Sequence, residues 1–233
     1  MALHFVYVAP AYQVVPISIG TPSTGTSSTG GQTLTFSHTV AEGSKRVLIV
    51  GAAAVDGSSS NFPVTGVTYG GVAMTLVDSR TATGVAQDVT ASLWILVNPA
   101  VGTADVVATL NSSVVGRVGI ACVFYNVDSS TPQDAAATGA GSYANTSSSI
   151  NISTTTPNAL GVDLVVTRTL QTHLVGASPQ AMLQTETTTG GEDCTLSMST
   201  ELMATPGALT MSRSWTDSRT LAHSMMVLRN TTT

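Results

Sequence analysis

The chain has 233 residues, only 9 % of them charged, and a net charge of −5; a soluble domain typically carries about 25 % charge. Lys45 is the single lysine, so the sequence offers no basic footprint for nucleic acid or an anionic membrane. No apolar run reaches the ~18 residues of a membrane-spanning helix, and no Cys/His cluster has metal-ligand spacing.

The chain opens on an apolar, β-prone stretch, MALHFVYVAPAYQVVPISI, at residues 1–19. In an extended chain Leu3, Phe5 and Tyr7 share one side, and His4, Val6 and Val8 the other. Pro10 and Pro16 interrupt the stretch, and no positive charges precede it, unlike a secretory signal. Residues 20–31, GTPSTGTSSTGG, have the composition of a flexible tether with a typical span of roughly 20 Å. Three readings follow. Residues 3–8 and 12–19 are the first strands of the domain behind them, strands donated to a neighbouring subunit, or a segment docked to a different protein. A sticky segment on a polar leash favours donation, because an added strand gains backbone hydrogen bonds while alternate side chains fill pockets. The expected subunit interface is Leu3, Phe5, Val6, Tyr7, Val8, Tyr12, Val14, Val15, Ile17 and Ile19.

Beyond residue 31 the pattern is short β-prone runs between Gly, Ser, Asn and Pro clusters. Strands are predicted at 32–38 and 45–55. A hairpin is predicted from 64–69 and 72–78, because Gly70-Gly71 accommodates the positive φ angles of a tight turn. Strands follow at 90–97, 103–110 and 114–127, where Gly116 and Gly119 suggest a bulge or a close backbone approach. The Ser/Thr-rich 137–149 reads as a long loop. Later strands are predicted at 148–154, 159–167, 181–187, 195–202, 208–212 and 221–229. Runs apolar on both faces, VLIV and LWILV, belong to central strands covered on both sides. The regular spacing predicts an all-β antiparallel sandwich at 32–233, preceded by the 20–31 tether and the 1–19 assembly segment.

The stretches GTSSTGGQTLTFSHTV, KRVLIVGAAA, VTGVTYGGVAMTLVDS, ASLWILVNPAVGTADVVATL, VFYNVDSSTPQDAAATG and PGALTMSRSW…AHSMMVLR together resemble a family of jelly-roll domains common in tailed-phage and bacterial structural and appendage proteins. The YGGVAMT hairpin and the NPAVGT turn carry the likeness most specifically. The resemblance implies a jelly-roll-like β-sandwich of structural or adhesive type, and no catalytic residues. The apolar 1–19 extension is a departure from it.

Candidate chemistry is sparse. The chain has 64 Ser and Thr but only four histidines, His4, His38, His173 and His223, and no nucleophile elbow. His38 and His223 fall in or beside strands, where a structural role is expected. Carboxylates such as Asp56, Asp78, Asp88, Asp128, Asp134 and Asp217 sit at predicted turns, where they cap backbone groups. Glu192-Asp193 after Gly190-Gly191 lacks calcium-loop spacing. Cys122 lies in an apolar strand as a buried thiol, and its pairing with Cys194 is open. Trp94 belongs to the core, whereas Trp215, beside Arg213 and TDSR, reads as exposed and pairs with Tyr143 as a candidate glycan contact. Sequons at Asn111 and Asn145 fall in predicted loops and are candidate glycosylation sites. No enzyme, cofactor or metal is expected. The expected role is a homo-oligomeric structural protein, forming a helical filament or appendage on a virion or outside the cell. The alternative is a glycan-binding module on such a surface.

Overall fold

The computed structural model describes residues 15–57, 61–82, 88–177 and 179–231. Every regular element among them is a β-strand. In chain order these are β1 (Ser18–Ile19), β2 (Ser23–Ser27), β3 (Gly31–Val40), β4 (Val47–Asp56), β5 (Val64–Tyr69), β6 (Val72–Ala73), β7 (Thr75–Ala82) and β8 (Asp88–Val97). Then come β9 (Gly102–Val114), β10 (Gly116–Tyr125), β11 (Gln133–Thr154), β12 (Ala159–Arg168), β13 (Leu174–Val175), β14 (Ala181–Thr188), β15 (Cys194–Met203) and β16 (Gly207–Leu228). They build three antiparallel sheets. A central sheet runs β1-β10-β4-β8-β7, with β2 sharing the β10 edge. A small sheet runs β3-β9-β5-β6, and a third runs β11-β16-β12-β15-β14 with β13 beside β16.

The all-β sandwich is therefore present, in three layers. Alternation along β4 explains why. Val47, Ile49, Ala53 and Val55 pack with Ile120, Leu164, Leu196 and Met198 toward the third sheet. Leu48, Val50, Ala52 and Ala54 pack with Phe36, Tyr69 and Val106 toward the small sheet. The VLIV and LWILV runs lie in β4 and β8, central strands covered on both sides. Each buried aliphatic side chain contributes about 1.5–3 kcal/mol, so two cores flank one sheet.

The 20–31 stretch is not a free tether. Ser23–Ser27 pairs with Arg117–Ala121 of β10, placing Gly25 opposite Gly119. Both glycines face Phe36: a Cβ at Gly119 would come within 2.7 Å of its ring, and one at Gly25 would overlap it. The buried Arg117 guanidinium donates from Nη1 to Thr33 O at 2.8 Å, and from Nη2 to Ser27 Oγ at 2.6 Å and to Thr29 O. The composition that resembles a leash is thus set by packing. Glycine makes room for an aromatic ring, and Ser/Thr supply acceptors for a buried cation. Upstream, Gly20 N donates to Val123 O at 2.8 Å.

The third sheet corrects two further expectations. Residues 137–149 are no loop but part of the 22-residue β11. The two strands expected at 208–212 and 221–229 are one strand, β16, also of 22 residues. The pair does not run straight. Leu209 and Met211 share a cluster with Met225 and Val227, although 16 residues of straight strand would separate such positions by about 50 Å. The ribbon turns where the register breaks, between Ser142, Asn145 and Ser147 on β11 and between Ser214 and Arg219 on β16. Its far half folds back over the outer face of the third sheet, where Leu209 and Met211 occupy the space above Gly161.

Gly25→Ala is expected to lower unfolding stability by about 1–3 kcal/mol through overpacking against Phe36. Gly66→Ala, where a Cβ meets nothing within 4 Å, is expected to be near neutral. Denaturant unfolding of both variants beside the parent checks this, and equal stability of the two would contradict it.

Candidate functional site

At one end of the central sheet several apolar side chains are exposed, beside Arg46, whose Nε donates to Pro99 O at 3.3 Å. The Gly70-Gly71 turn holds both glycines at positive φ, 57° and 81°, as the hairpin reading required. Beside it the 98–102 turn is fixed by Asn98 at φ 54°, whose N–H donates to Arg46 O at 2.8 Å. Between these turns lies a groove of about 300 Å³ lined chiefly by Tyr69, Val72, Leu96, Pro99 and Val101. Tyr69 is anchored by its hydroxyl, which donates to Gly102 O at 2.8 Å. Val72 and Val101 stand 55 % and 42 % exposed on the rim. Leu76, at the start of β7, is exposed at the same end.

The amino-terminal segment meets the fold at this end. Ser18 and Ile19 pair with Tyr125 and Phe124, at the end of β10; Phe124 pairs with Val47, which in turn pairs with Val97 above the groove. Of the residues expected at a subunit interface, Leu3, Phe5, Val6, Tyr7, Val8, Tyr12 and Val14 lie outside the described residues. Val15 and Ile19 are exposed. Ile17 is a correction: it is buried in the core between the central and third sheets, and Pro16 O accepts from Asn126 Nδ2 at 3.0 Å. Residues 16–19 therefore belong to this domain's own fold.

A second feature sits at the bend of the β11–β16 ribbon. A polar cleft of about 220 Å³ is lined by Tyr143, Ala144, Ser218, Arg219 and Thr220. Tyr143 is 54 % exposed, and Ala144 holds φ at 58°, a conformation a Cβ disfavours. Arg219 Nη2 pairs with Asp217 Oδ2 at 2.9 Å, while Arg219 Nε and the buried Thr220 Oγ1 have no hydrogen-bond partner. Trp215 does not join Tyr143. It is 5 % exposed, clusters with Val165 and Leu221, donates from Nε1 to Asn145 O at 2.9 Å and lies 5.5 Å from the His173 ring. Arg213, which suggested a surface, is itself buried. The sequons also differ from expectation, since Asn111 lies in β9 and Asn145 in β11. Asn111 Nδ2 donates to Asn61 O at 3.3 Å and Asn145 Nδ2 to Tyr143 O at 3.2 Å.

Beneath the folded ribbon is a polar network absent from the sequence reading. Asp163 and Arg213 are both fully buried and paired at 2.7 Å. Asp163 also accepts from Ser199 Oγ at 2.6 Å and lies 3.2 Å from His223 Nε2. Burial drives the Asp163 carboxyl up, but the Arg213 charge and the His223 and Ser199 hydrogen bonds outweigh it and hold it below its usual range. Ser148 Oγ lies 2.9 Å from His223 Nδ1, so Ser148, His223 and Asp163 stand in the order of a hydrolase triad. The imidazole and carboxylate are enclosed, and Arg213 and Ser199 already occupy the carboxylate. The arrangement therefore organises the interior. The sequence signal was Asp163 itself, a lone acid inside the apolar run LGVDLVV.

Cys122 and Cys194 are free, buried thiols. Burial pushes them up to about 12 and about 11. Glu192 pairs with Arg168, and Asp193 Oδ1 accepts from Gly190 N at 2.9 Å. No group of three or more His, Cys, Asp or Glu among the described residues is placed to hold a metal ion. Comparison with protein-family models, with curated proteins and with solved structures finds no match to this chain.

Two histidines set a pH dependence. His38, bonded through Nδ1 to Ser23 Oγ at 2.9 Å, is lowered to about 4 by burial. His173, held between Thr167 Oγ1 and Ser197 Oγ, is lowered to about 3, first by burial and then by the Arg213 charge. Both folded values lie below the unfolded value near 6.5, so the unfolded chain takes up these protons first. Their contribution is complete above about pH 6.5 and is lost as pH falls toward 4 for His38 and 3 for His173. Each histidine costs at most about 1.4 kcal/mol per pH unit across its window. Thermal unfolding is expected to shift downward from pH 7 to pH 4.5, and the slope to flatten in His38→Asn/His173→Asn. An unchanged slope in that double variant would refute the assignment.

Proposed function

We propose that this chain is a structural subunit that assembles with copies of itself through its apolar amino-terminal segment, forming a filament or appendage on a virion or outside the cell. The observation that carries this reading is the group of exposed apolar side chains at one end of the central sheet. Val15, Ile19, Val72, Leu76 and Val101 are exposed there, where the apolar segment enters the fold. Donation from one subunit to the next is a heterologous contact, which extends into a helical array when rotation does not close a ring. Burial of four or five segment side chains yields about 8–12 kcal/mol gross at ~2 kcal/mol each, reduced by the ordering cost of association. A charge content of 9 % leaves little like-charge repulsion between copies. The resemblance to phage and bacterial appendage domains supports the same role.

Negative-stain microscopy and sedimentation of the full chain beside a variant lacking residues 1–14 test this. Filaments or oligomers in the first and folded monomers in the second are expected. The deletion stops before Ile17 because that residue is buried in the domain. Monodisperse particles from both proteins would overturn the reading.

A second reading, glycan binding, has one observation in its favour. The cleft at the ribbon bend combines an exposed tyrosine ring with an Arg–Asp pair and two hydroxyl residues, a mixture of face, donors and acceptors suited to sugar hydroxyls. Tyr143→Ala is expected to abolish retention on a glycan array while leaving the melting temperature unchanged. Trp215, being buried, is not a contact in this reading. Absence of retention by the parent protein would remove it.

A further inference from the structure

We infer that the groove between the 70–71 and 98–102 turns is the acceptor for residues 3–8 of a neighbouring copy, with Phe5 or Tyr7 as the anchoring side chain. The inference rests on the self-assembly proposed above and names its receiving surface. The walls are Tyr69, Leu96, Pro99, Val72 and Val101, and none of the described residues lining the groove is charged. A volume of about 300 Å³ is at the small end for a ligand pocket and suits one or two inserted side chains. The occupant must therefore be apolar, uncharged and narrow. Residues 3–8, LHFVYV, alternate such side chains with no Asp, Glu, Lys or Arg among them.

Backbone chemistry at the rim agrees. β6 is the terminal strand of the small sheet, and its ladder partner among the described residues is β5 alone. Its outer edge is available for main-chain hydrogen bonds to an incoming extended segment. Val72, on that edge, is 55 % exposed.

The path of the chain favours a neighbour over the chain's own segment. Ile17 is buried on the third-sheet side of the central sheet. Tyr69 and Leu96 belong to the opposite side, toward the small sheet. Residues 1–14 extend at most about 50 Å, and the lateral step from β1 to β8 is three strand spacings, about 14 Å. Reach is therefore sufficient, but a same-chain route must turn over the end of the central sheet. A neighbour stacked on this end meets the groove directly. The donor and acceptor surfaces are then different patches on each subunit, which gives the contact a direction.

The test uses a fluorescent peptide of residues 1–14, titrated onto protein lacking those residues. The variants Val72→Asp and Val101→Asp change exposed positions, and Leu202→Asp on β15, also exposed, is the control. Melting temperatures check that all three fold. Saturable binding is expected, weakened at least tenfold by either groove variant and unchanged by Leu202→Asp. The full chain with Val101→Asp is expected to sediment as monomer. No saturable binding, or binding indifferent to both groove variants, overturns the inference. Peptide binding to the truncated protein with a monomeric full-length parent also overturns it, since the segment then fills its own groove. Assembly that is lost on deleting 1–14 but survives Val72→Asp and Val101→Asp leaves the self-assembly reading standing and removes only the groove.

Discussion

The structure depends on a central sheet with no wet face. Antiparallel sheets commonly pack one face and solvate the other. Here β4, β8 and β10 carry apolar side chains on both faces, and each face meets another sheet. The outer layers must then supply the surface, which the chain makes from Ser, Thr and Gly rather than from charge. The sheet's edges also need cover. Two short strands, β1 and β2, share the β10 edge. At the β7 edge, Ser224 Oγ of β16 donates to Asp78 Oδ2 at 2.6 Å, tying the third sheet across the gap.

The third sheet meets a different problem. Its inner face is apolar, with Leu164, Val166, Leu196 and Met198. Its outer face presents Asp163, Thr167, Ser197 and Ser199, a face that could have stayed in water. The β11–β16 ribbon buries it instead. A buried carboxylate is tolerable only when paired and fully hydrogen-bonded. The same ribbon that excludes water delivers Arg213 and brings His223 under Ser148. Burial and neutralisation therefore arrive in one structural event.

Much of the architecture could be read from residue patterns. Alternation and turn residues located most strands, the Gly70-Gly71 hairpin, and the double-sided burial of VLIV and LWILV. The errors share a cause. Residues 20–31 and 137–149 look like coil because they are rich in Gly, which is depleted in strands, and lack the apolar alternation of a half-buried strand, yet they pair because Phe36, Arg117 and the long β16 provide specific partners. Trp215 was misplaced for a related reason. Arg213 signals a surface only until Asp163, fifty positions away, is known to face it. Of the candidate site, the apolar segment was evident in the sequence. The groove was not, because Tyr69, Leu96 and Val101 converge only through strand order. The two turns that flank it, YGG and NPAVG, were legible as turns from their Gly, Asn and Pro residues.

The position of β16 carries a consequence for how the molecule comes into being. In chain order it follows every other described strand of this fold, yet it lies between β11 and β12 in the third sheet. Until residues 207–228 leave the ribosome, β11 has no neighbour in its sheet and the apolar inner face of β12 lacks a flank. Pairings of such wide sequence separation fold slowly and leave strand edges open meanwhile. Maturation of this fold is therefore gated by β16. A nascent chain paused before that point would be the species most in need of a chaperone.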